Sequence, residues 1–424
     1  DRPRPASGRG PRATEVRVLG AADDTIFRVA DVEATAAAWG TEAAIVAEFH
    51  KFKNSGQLYR GSKPVMWSPV ERTALAEAEI EYHDHVSPTI WVKFPVTGAT
   101  DDHDDDLLAF RHATPSIVIW TTTPWTIPAN RAISYGPEIA YGVYEVTAME
   151  EGLEFEPWAK PGDRLILADK LAGEVFKAAK IANTTRLGDI NPSGLECAHP
   201  LAALDPGYGY AVPLLAGDHV TDDAGTGFVH TAPGHGADDY EVWKAHGHKE
   251  VPDTVDADGA YYPHVPLFAG LKVLETEGKK DKIGKFGAAN KVVTEKLIEA
   301  GNLLARGRME HSYPHSWRSK APIIFRNTPQ WFIRMDQPLK SGETLRETAL
   351  KAIDDTTFHP AAGKNRIRSM VADRPDWLIS RQRAWGTPLA MFVDKHTGQP
   401  LHDDAVDARI LAAIQAGGAD AWFE

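Results

Sequence analysis

The succession of strand patterns between Pro88 and about Gly270 constrains the fold of this chain more than any other feature of the sequence. Alternating apolar and polar residues in PTIWVKFPV, from Pro88, predict one strand, and HATPSIVIW, ending at Trp120, predicts a second. Further strands are predicted at residues 140–147, 164–168 and 210–215, with short helices at 170–181 and 239–246. Strands at irregular spacing with few long helices indicate a mostly β domain with helical decoration.

The segments on either side of this region are more helical. Residues 41–55 predict an amphipathic helix whose apolar face carries Ile45, Phe49 and Phe52. Two further helices are predicted, at residues 293–300 and 403–415. Two strand-like runs are predicted, at residues 311–333 and, after a basic segment, within 376–393. The fold class predicted for the whole chain is therefore α/β.

Length and composition limit the class of protein. The chain has 424 residues, of which 43% are hydrophobic, enough for a sizeable core and for two or three domains. Its single cysteine, Cys197, excludes a disulfide framework and indicates a reducing compartment, so we expect a cytoplasmic protein. No apolar run approaches the roughly 18 residues of a membrane-spanning helix. Residues 1–14, rich in proline and arginine, are predicted to be disordered.

The charge balance argues against general affinity for nucleic acid. The formal net charge is −13, so any contact with nucleic acid must use a local basic stretch. One such stretch runs from Ala361 to Trp385, with six basic and two acidic residues. A solvated face with scattered ion pairs is the simpler interpretation, and a nucleic-acid contact is the alternative.

Two segments carry residues suited to chemistry. TTTPWTIPAN, from Thr121 to Asn130, places three hydroxyls where prolines end a strand. GTGFVHTAPGHGADDY, from Gly225 to Tyr240, predicts a short strand, a glycine turn and a helix that opens near Asp239. Taken alone, the second segment is also explained by a capped helix after a turn.

A metal site is the main alternative. His230, His235 and Asp239 are a plausible ligand set for a hydrolytic zinc, but spacings of five and four, from strand to turn, do not place them on one face. The loop Asp101–Asp106 lacks the ligand spacing and glycine of a calcium loop, so we interpret it as a solvated loop. We therefore predict no metal site.

These segments, in this order, resemble the bacterial isoleucyl-tRNA synthetases. The match rests on TTTPWTIPANRAIS, GDHVTDDAGTGFVHTAPGHGADDY, GSKPVMW, ALAEAEIEY, HSYPHSWRSKAPIIFRNTPQWF and RPDWLISRQRAWGTPLAMF. It covers about Asn54 to Phe423. The threonine motif reads Thr123-Pro124-Trp125 here, where the related valyl and leucyl enzymes usually have Thr-Thr-Arg-Pro.

The resemblance implies a class I catalytic domain of the Rossmann type that is interrupted by a large, mostly β editing domain. The implied divisions are a lead-in at 1–14, partial catalytic segments at 15–87 and 311–424, and an editing domain at 88–310. The family's His-Ile-Gly-His and Lys-Met-Ser-Lys-Ser signatures are absent from this sequence, so we do not expect the chain alone to activate isoleucine. No zinc site is expected, because positions where many relatives have cysteine are Ser68, Glu71, His315, Ser316 and Leu378.

The implied activity is hydrolytic editing of valyl-tRNA(Ile). Valine and isoleucine differ by one methylene, worth only ~1–3 kcal/mol in an apolar pocket, so a synthetic site cannot reject valine well enough by itself. The residues implied to be catalytic are Thr121, Thr122, Thr123 and Asp239. Those implied to bind substrate are Trp125, Thr126, Asn130, His230, His235 and Asp238, and those implied to contact tRNA are Arg381 and Arg383.

Each residue type suits its role. The Asp239 carboxylate can pair with the α-ammonium of the substrate, and the threonine hydroxyls can orient water and ribose. His230 is interpreted as a steric wall against isoleucine, with general base as the weaker alternative. Backbone N–H groups near Thr123 and Pro124 are expected to stabilise an oxyanion, and Asn130 to close the turn.

The partners implied are tRNA(Ile) and the valyl and isoleucyl groups that it carries, with a monomeric chain and no membrane. Editing is expected to need no cofactor, whereas the parent ligase reaction uses ATP and Mg²⁺. Two other functions remain open at this point: a metal-dependent ester hydrolase, and a non-catalytic fragment that binds tRNA.

Overall fold

A computed structural model describes Val16–Arg17, Ile26–Phe27 and residues 40–99, 114–382 and 386–423. The chain forms two compact units: unit 1 comprises Asp1–Gly61 and Pro329–Glu424, and unit 2 comprises Ser62–Thr328. Three predicted features lie outside the described residues: the lead-in at 1–14, the Asp101–Asp106 loop and Arg383.

The described residues form a mixed α/β structure that is mostly sheet, as predicted. Its strands are β1 Val16–Arg17, β2 Ile26–Phe27, β3 Leu58–Ser68, β4 Thr73–Ala74, β5 Ile80–Ala99, β6 Ser116–Thr121, β7 Ala132–Tyr135, β8 Tyr141–Met149, β9 Arg164–Ala168, β10 Ile181–Asp189, β11 Leu195–Ala198, β12 Ala211–Ala216, β13 Phe228–Thr231, β14 Leu303–Ser316, β15 Ile324–Ile333 and β16 Trp377–Leu378. Its α-helices are α1 Thr41–Asn54, α2 Ala172–Ala179, α3 Ala237–Ala245, α4 Ala289–Glu299, α5 Leu345–Asp355, α6 Ala362–Ala372 and α7 Asp404–Gly417. Within the described ranges, no helix is both long and apolar enough to cross a membrane.

Unit 2 is built on one ten-stranded sheet. Its order is β10-β8-β9-β6-β5-β11-β12-β7-β13, and β14 adds to β5. The β5–β14 pair is antiparallel and runs from Ile80 opposite Ser316 to Val92 opposite Leu303, with one register shift between Leu303 and Ala305. The compact units divide the chain near residues 62 and 328, whereas the implied divisions at residues 88 and 310 fall within this pair.

The core of unit 2 lies around the middle strands of this sheet. Ile117, Val118 and Ile119 of β6 are all fully buried, and so are the apolar residues of β9. Consecutive buried residues mean that both faces of these strands are covered, as in the interior of a layered fold. Helix α2 packs Val175 and Ala179 onto one of the two faces.

In unit 1, helix α1 packs Phe49 and Phe52 into the core as predicted, and the prediction was wrong for Ile45. Ile45, expected to face the core, is 51% exposed, whereas Val46 is fully buried. Lys53 is also buried, and its ammonium donates to Asp407 Oδ1 at 2.7 Å. An ion pair can turn a lysine inward, and apolar periodicity alone does not reveal such a partner.

Two other strand predictions were wrong in detail. The run 311–333 forms two strands, β14 and β15, separated by a turn in which Lys320 has a φ of 56°. The apolar strand expected near the end of 376–393 does not form, and among the described residues of that range only Trp377–Leu378 is a strand. Arg381, the next basic residue in the sequence, does not continue that strand.

Candidate functional site

The threonine run lies where strand β6 leaves the sheet. The strand ends at Thr121, and a 3₁₀ helix, Pro124–Ala129, follows after two residues. The break has a local cause: Thr121 Oγ1 accepts a hydrogen bond from the Thr123 backbone N–H at 3.1 Å, and Pro124 has no N–H to continue a ladder. The prediction that the hydroxyls lie at a strand break is confirmed.

The second predicted segment faces this break. Strand β13 pairs antiparallel with β7, placing His230 opposite Ile133, and α3 follows after the turn. Gly227, just before β13, has a φ of +80°, and a Cβ there would lie 2.4 Å from Ala168 Cβ. The close backbone approach predicted for this glycine is therefore confirmed.

The two segments enclose a cavity of about 110 Å³ in unit 2. It is lined by Trp120, Thr121, Thr123, Thr126, Val229, His230, Ala232, His235 and Asp239. Of the predicted site residues, the lining does not include Thr122, Trp125, Asn130 and Asp238. The sequence did not single out Trp120, Val229 or Ala232, because no local pattern tells which side chains at a strand end turn toward a cavity.

The threonine hydroxyls form one connected group. Thr123 Oγ1 lies 3.1 Å from Thr121 Oγ1 and 3.3 Å from Thr126 Oγ1. Thr126 Oγ1 donates to the Thr123 carbonyl at 2.8 Å, which holds the first turn of the 3₁₀ helix. The hydroxyls of Thr121 and Thr123 are therefore oriented by the protein before any ligand enters.

His230 is buried, and both its ring nitrogens are hydrogen-bonded. Nε2 lies 2.9 Å from Thr126 Oγ1, and Nδ1 lies 2.8 Å from Asn130 Nδ2. Burial lowers the pKa of His230 to about 3, so the imidazole is neutral at physiological pH. A ring in this state is too weakly basic to be an effective general base near pH 7, and it contributes a fixed wall of the cavity.

Asp239 brings a carboxylate into the cavity from the first turn of α3. Its Oδ2 accepts a hydrogen bond from the Ala232 backbone N–H at 2.8 Å. A Cβ at Gly236 would lie 2.8 Å from Asp239 Cγ, so the absence of a side chain at Gly236 makes room for the carboxyl group. Burial raises the pKa of Asp239 to about 7, because the low-polarity surroundings disfavour the charged form.

His235 and Trp125 support the cavity wall. His235 Nδ1 donates to the Phe325 carbonyl at 2.8 Å, and Nε2 bonds the Thr254 hydroxyl. Burial lowers the pKa of His235 to about 4. The Trp125 ring packs edge-on against His235 with a centroid distance of 4.8 Å, and its backbone carbonyl accepts from the Tyr261 hydroxyl.

The backbone N–H groups expected to form an oxyanion hole are already occupied. Thr123 N–H bonds Thr121 Oγ1, and Thr126 N–H donates to the Thr123 carbonyl at 2.9 Å. Trp125 N–H donates to Asn290 Oδ1 at 3.1 Å. The side chain of Asn290, 165 residues away in the sequence, thus satisfies the exposed end of the turn, and an oxyanion role for N–H groups near Thr123 stays a prediction.

The imidazoles of the cavity are not arranged as metal ligands. The four ring nitrogens of His230 and His235 all have partners in the protein. Throughout the described part of the chain, no group of three or more His, Cys, Asp or Glu side chains could hold a metal ion. The residues present therefore do not fit a zinc or magnesium site.

Of the two predicted tRNA contacts, the structure describes Arg381. Its Nη1 donates to the carbonyl of Ser380 at 2.8 Å and to that of Leu378 at 3.3 Å, which braces its own loop in unit 1. A contact between Arg381 and nucleic acid stays a prediction.

Comparisons with known proteins identify the family of the chain. The family model of class I tRNA synthetases (I, L, M and V) matches residues 25–424. An isoleucine–tRNA ligase from Caulobacter vibrioides is 71% identical over 412 residues, covering 97% of this chain and 41% of that protein. One from Brucella abortus is 53% identical over 393 residues, covering 90% of this chain and 39% of that protein.

Among solved structures, the editing domain of the P. knowlesi cytosolic leucyl-tRNA synthetase aligns with a TM-score of 0.36 and 10% identity, over 53% of this chain and 98% of that chain. The chain spans about two fifths of the length of the curated relatives it matches. Because the family model matches nearly the whole length of the chain, the chain belongs to the class I tRNA synthetases (I, L, M and V).

Proposed function

We propose that unit 2 hydrolyses the ester bond of valyl-tRNA(Ile), the product of mischarging. The observation that carries this proposal is that a carboxylate, Asp239, and the hydroxyls of Thr121 and Thr123 face one cavity of about 110 Å³. A carboxylate suits an α-ammonium, and hydroxyls suit water and ribose.

In the proposed reaction, Asp239 binds the ammonium of the valyl group and so fixes the position of the ester carbonyl. Ammonium binding favours the ionised form of the carboxyl group and offsets the cost of its burial. A water held by the threonine hydroxyls attacks the carbonyl carbon. The bond from that carbon to the ribose oxygen breaks, the ribose oxygen takes the proton lost by the attacking water, and free valine leaves as its carboxylate after releasing its acid proton to solvent.

His230 contributes shape to this site. With a pKa of about 3, it does not take up a proton from water at neutral pH. Its ring is held on both sides, by Thr126 and Asn130, so it cannot move aside for an extra methylene. We propose that this fixed wall excludes the isoleucyl group, whose rejection from the hydrolytic site protects correctly charged tRNA.

The proposal extends to cofactors, domain divisions, cellular compartment, oligomeric state and tRNA contacts. The isoleucine–tRNA ligase reaction of the longer relatives uses ATP and Mg²⁺, but no described cluster of side chains fits a magnesium ion, and the proposed hydrolysis needs neither. Residues 88–310 form the editing domain, and 15–87 and 311–424 are parts of the catalytic domain. The chain acts in the cytoplasm as a monomer, and Arg381 and Arg383 contact tRNA.

The test is release of valine from valyl-tRNA(Ile) by the whole chain, with and without a chelator. Asp239→Ala should abolish most of the release, and the chelator should have no effect. Glu241→Gln, at an exposed position of the same helix, is the matched control and should retain it. Release that persists in Asp239→Ala, or that the chelator stops, contradicts the proposal, and tRNA binding without any release favours a non-catalytic fragment.

A further inference from the structure

Behind the cavity, two side chains clamp the backbone of Asn130. The Asn130 carbonyl accepts hydrogen bonds from Arg131 Nη1 at 2.6 Å and from the Tyr210 hydroxyl at 2.8 Å. Arg131 Nη1 also donates to the Tyr210 oxygen, and the guanidinium carbon lies 4.5 Å from the centre of the Tyr210 ring. Burial raises the pKa of Tyr210 to about 12, so its hydroxyl remains a donor at neutral pH.

The Asn130 side chain connects this backbone clamp to His230 through a hydrogen bond. It is fully buried, and its Nδ2 lies 2.8 Å from both the Ala132 carbonyl and His230 Nδ1. An amide nitrogen can only donate, so His230 Nδ1 must be the acceptor. Reversing the amide would bring Asn130 Oδ1 against the Ala132 carbonyl, where two acceptors repel.

The proton of the neutral His230 ring is then fixed on Nε2. From there it is donated to Thr126 Oγ1, whose own proton goes to the Thr123 carbonyl. Thr126 Oγ1 can therefore only accept from Thr123 Oγ1. With the proton on Nδ1 instead, His230 Nε2 would accept the Thr126 hydroxyl proton, and Thr126 would lose the bond that it donates to the Thr123 carbonyl.

We propose that Arg131 and Tyr210 are positioning residues that, by clamping the Asn130 backbone, hold the His230 proton on Nε2 and so preserve the hydrogen bond from Thr126 to the Thr123 carbonyl. The proposal deepens the hydrolytic function above and rests on it for its effect on rate. The tautomer itself does not depend on that function. Arg131 and Tyr210 contact neither the substrate nor the reacting atoms.

The first measurement is ¹⁵N NMR of the whole chain with labelled histidine, in which His230→Gln identifies the His230 signals. The wild type should give the neutral Nε2–H tautomer at pH 7, and Tyr210→Phe should give a mixture of the two neutral tautomers. An Nδ1–H tautomer in the wild type overturns the proposal. An unchanged tautomer in Tyr210→Phe also overturns it, because the clamp would then not be needed.

The second measurement is the rate of valine release. Tyr210→Phe removes one hydrogen bond to the carbonyl and should lower kcat about tenfold while leaving KM within about twofold. Tyr208→Phe is the matched control, because it also removes a hydroxyl, one that donates to the Pro266 carbonyl at 2.9 Å, and it should match the wild type. Equal kcat in both variants overturns the role in rate. A wild type without hydrolysis contradicts the proposed function, and the NMR result still decides the tautomer.

Discussion

Replacing Asp239 with asparagine should stabilise unit 2 at pH 8 much more than at pH 5. The carboxyl group titrates at about 7 in the folded chain against 3.8 for an ordinary aspartate. Between these values the folded state binds more protons than the unfolded state, so stability falls as pH rises. The aspartate's favourable contribution is complete below about pH 4 and is lost above about pH 7, and asparagine does not titrate.

The size of the effect follows from the same values. Each pH unit between the two pKa values changes stability by about 1.4 kcal/mol. From pH 5 to pH 8 the advantage of the asparagine variant should therefore grow by up to about 3 kcal/mol, and by less where water reaches the carboxyl group. The one backbone hydrogen bond, from Ala232 to Oδ2, can be kept by the amide oxygen of asparagine.

The assay is urea unfolding of the wild type and Asp239→Asn at several pH values between 5 and 8, with Glu241→Gln as the control for loss of one charge on α3. A chain with two compact units need not unfold in a single step, so the transition of unit 2 is the one to compare. A difference in free energy of unfolding between wild type and variant that stays constant from pH 5 to pH 8 would refute the argument that burial raises the pKa of Asp239.

Three other perturbations give distinct outcomes. His230→Ala enlarges the cavity and should allow release of isoleucine from isoleucyl-tRNA(Ile). If the variant still releases valine and not isoleucine, His230 does not exclude the isoleucyl group. Gly236→Ala places a Cβ 2.8 Å from the Asp239 carboxyl group and should lower valine release about tenfold, with the unfolding transition retained as the check. Burial opposes the charge on Glu71, but hydrogen bonds from Ser316 and Ser319 lower its pKa. Glu71→Ala should therefore lower the free energy of unfolding by about 1–3 kcal/mol above pH 5, and by less as pH falls. Thermal unfolding measures this loss.

Local patterns in the sequence predicted the elements of unit 2 and the break that opens the site. The strand expected to end at Trp120 is Ser116–Thr121, and the helix expected at 239–246 is Ala237–Ala245. Alternation, prolines and glycines act over a few residues, so they are readable without knowledge of the rest of the fold. The pairing of β5 with β14 across more than two hundred residues is not local, and the predicted domain boundary at residue 88 fell inside it.

The same distinction separates the predicted from the unpredicted parts of the site. Thr121, Thr123 and Asp239 line the cavity as expected, because each lies at the end of a recognisable element. The bond between His230 and Thr126 joins residues 104 positions apart, and no pattern in either segment indicates it. Such contacts depend on how the strands pack side by side. The same packing causes the backbone N–H groups near Thr123 to form hydrogen bonds within the protein.

Burial acts on His230 and Asp239 in opposite directions and leaves the cavity nearly without charge. The pKa of the imidazole falls to about 3 and that of the carboxyl group rises to about 7, so near neutral pH the ring is neutral and the carboxyl group is partly protonated. A cation entering the cavity changes this balance, because it favours the ionised carboxylate and finds no positive ring to repel it. The same carboxyl group, when it is ionised, repels an isolated anion. These charges suit the ammonium group that the proposed hydrolysis requires, and valine release should weaken below pH 7 as Asp239 becomes protonated.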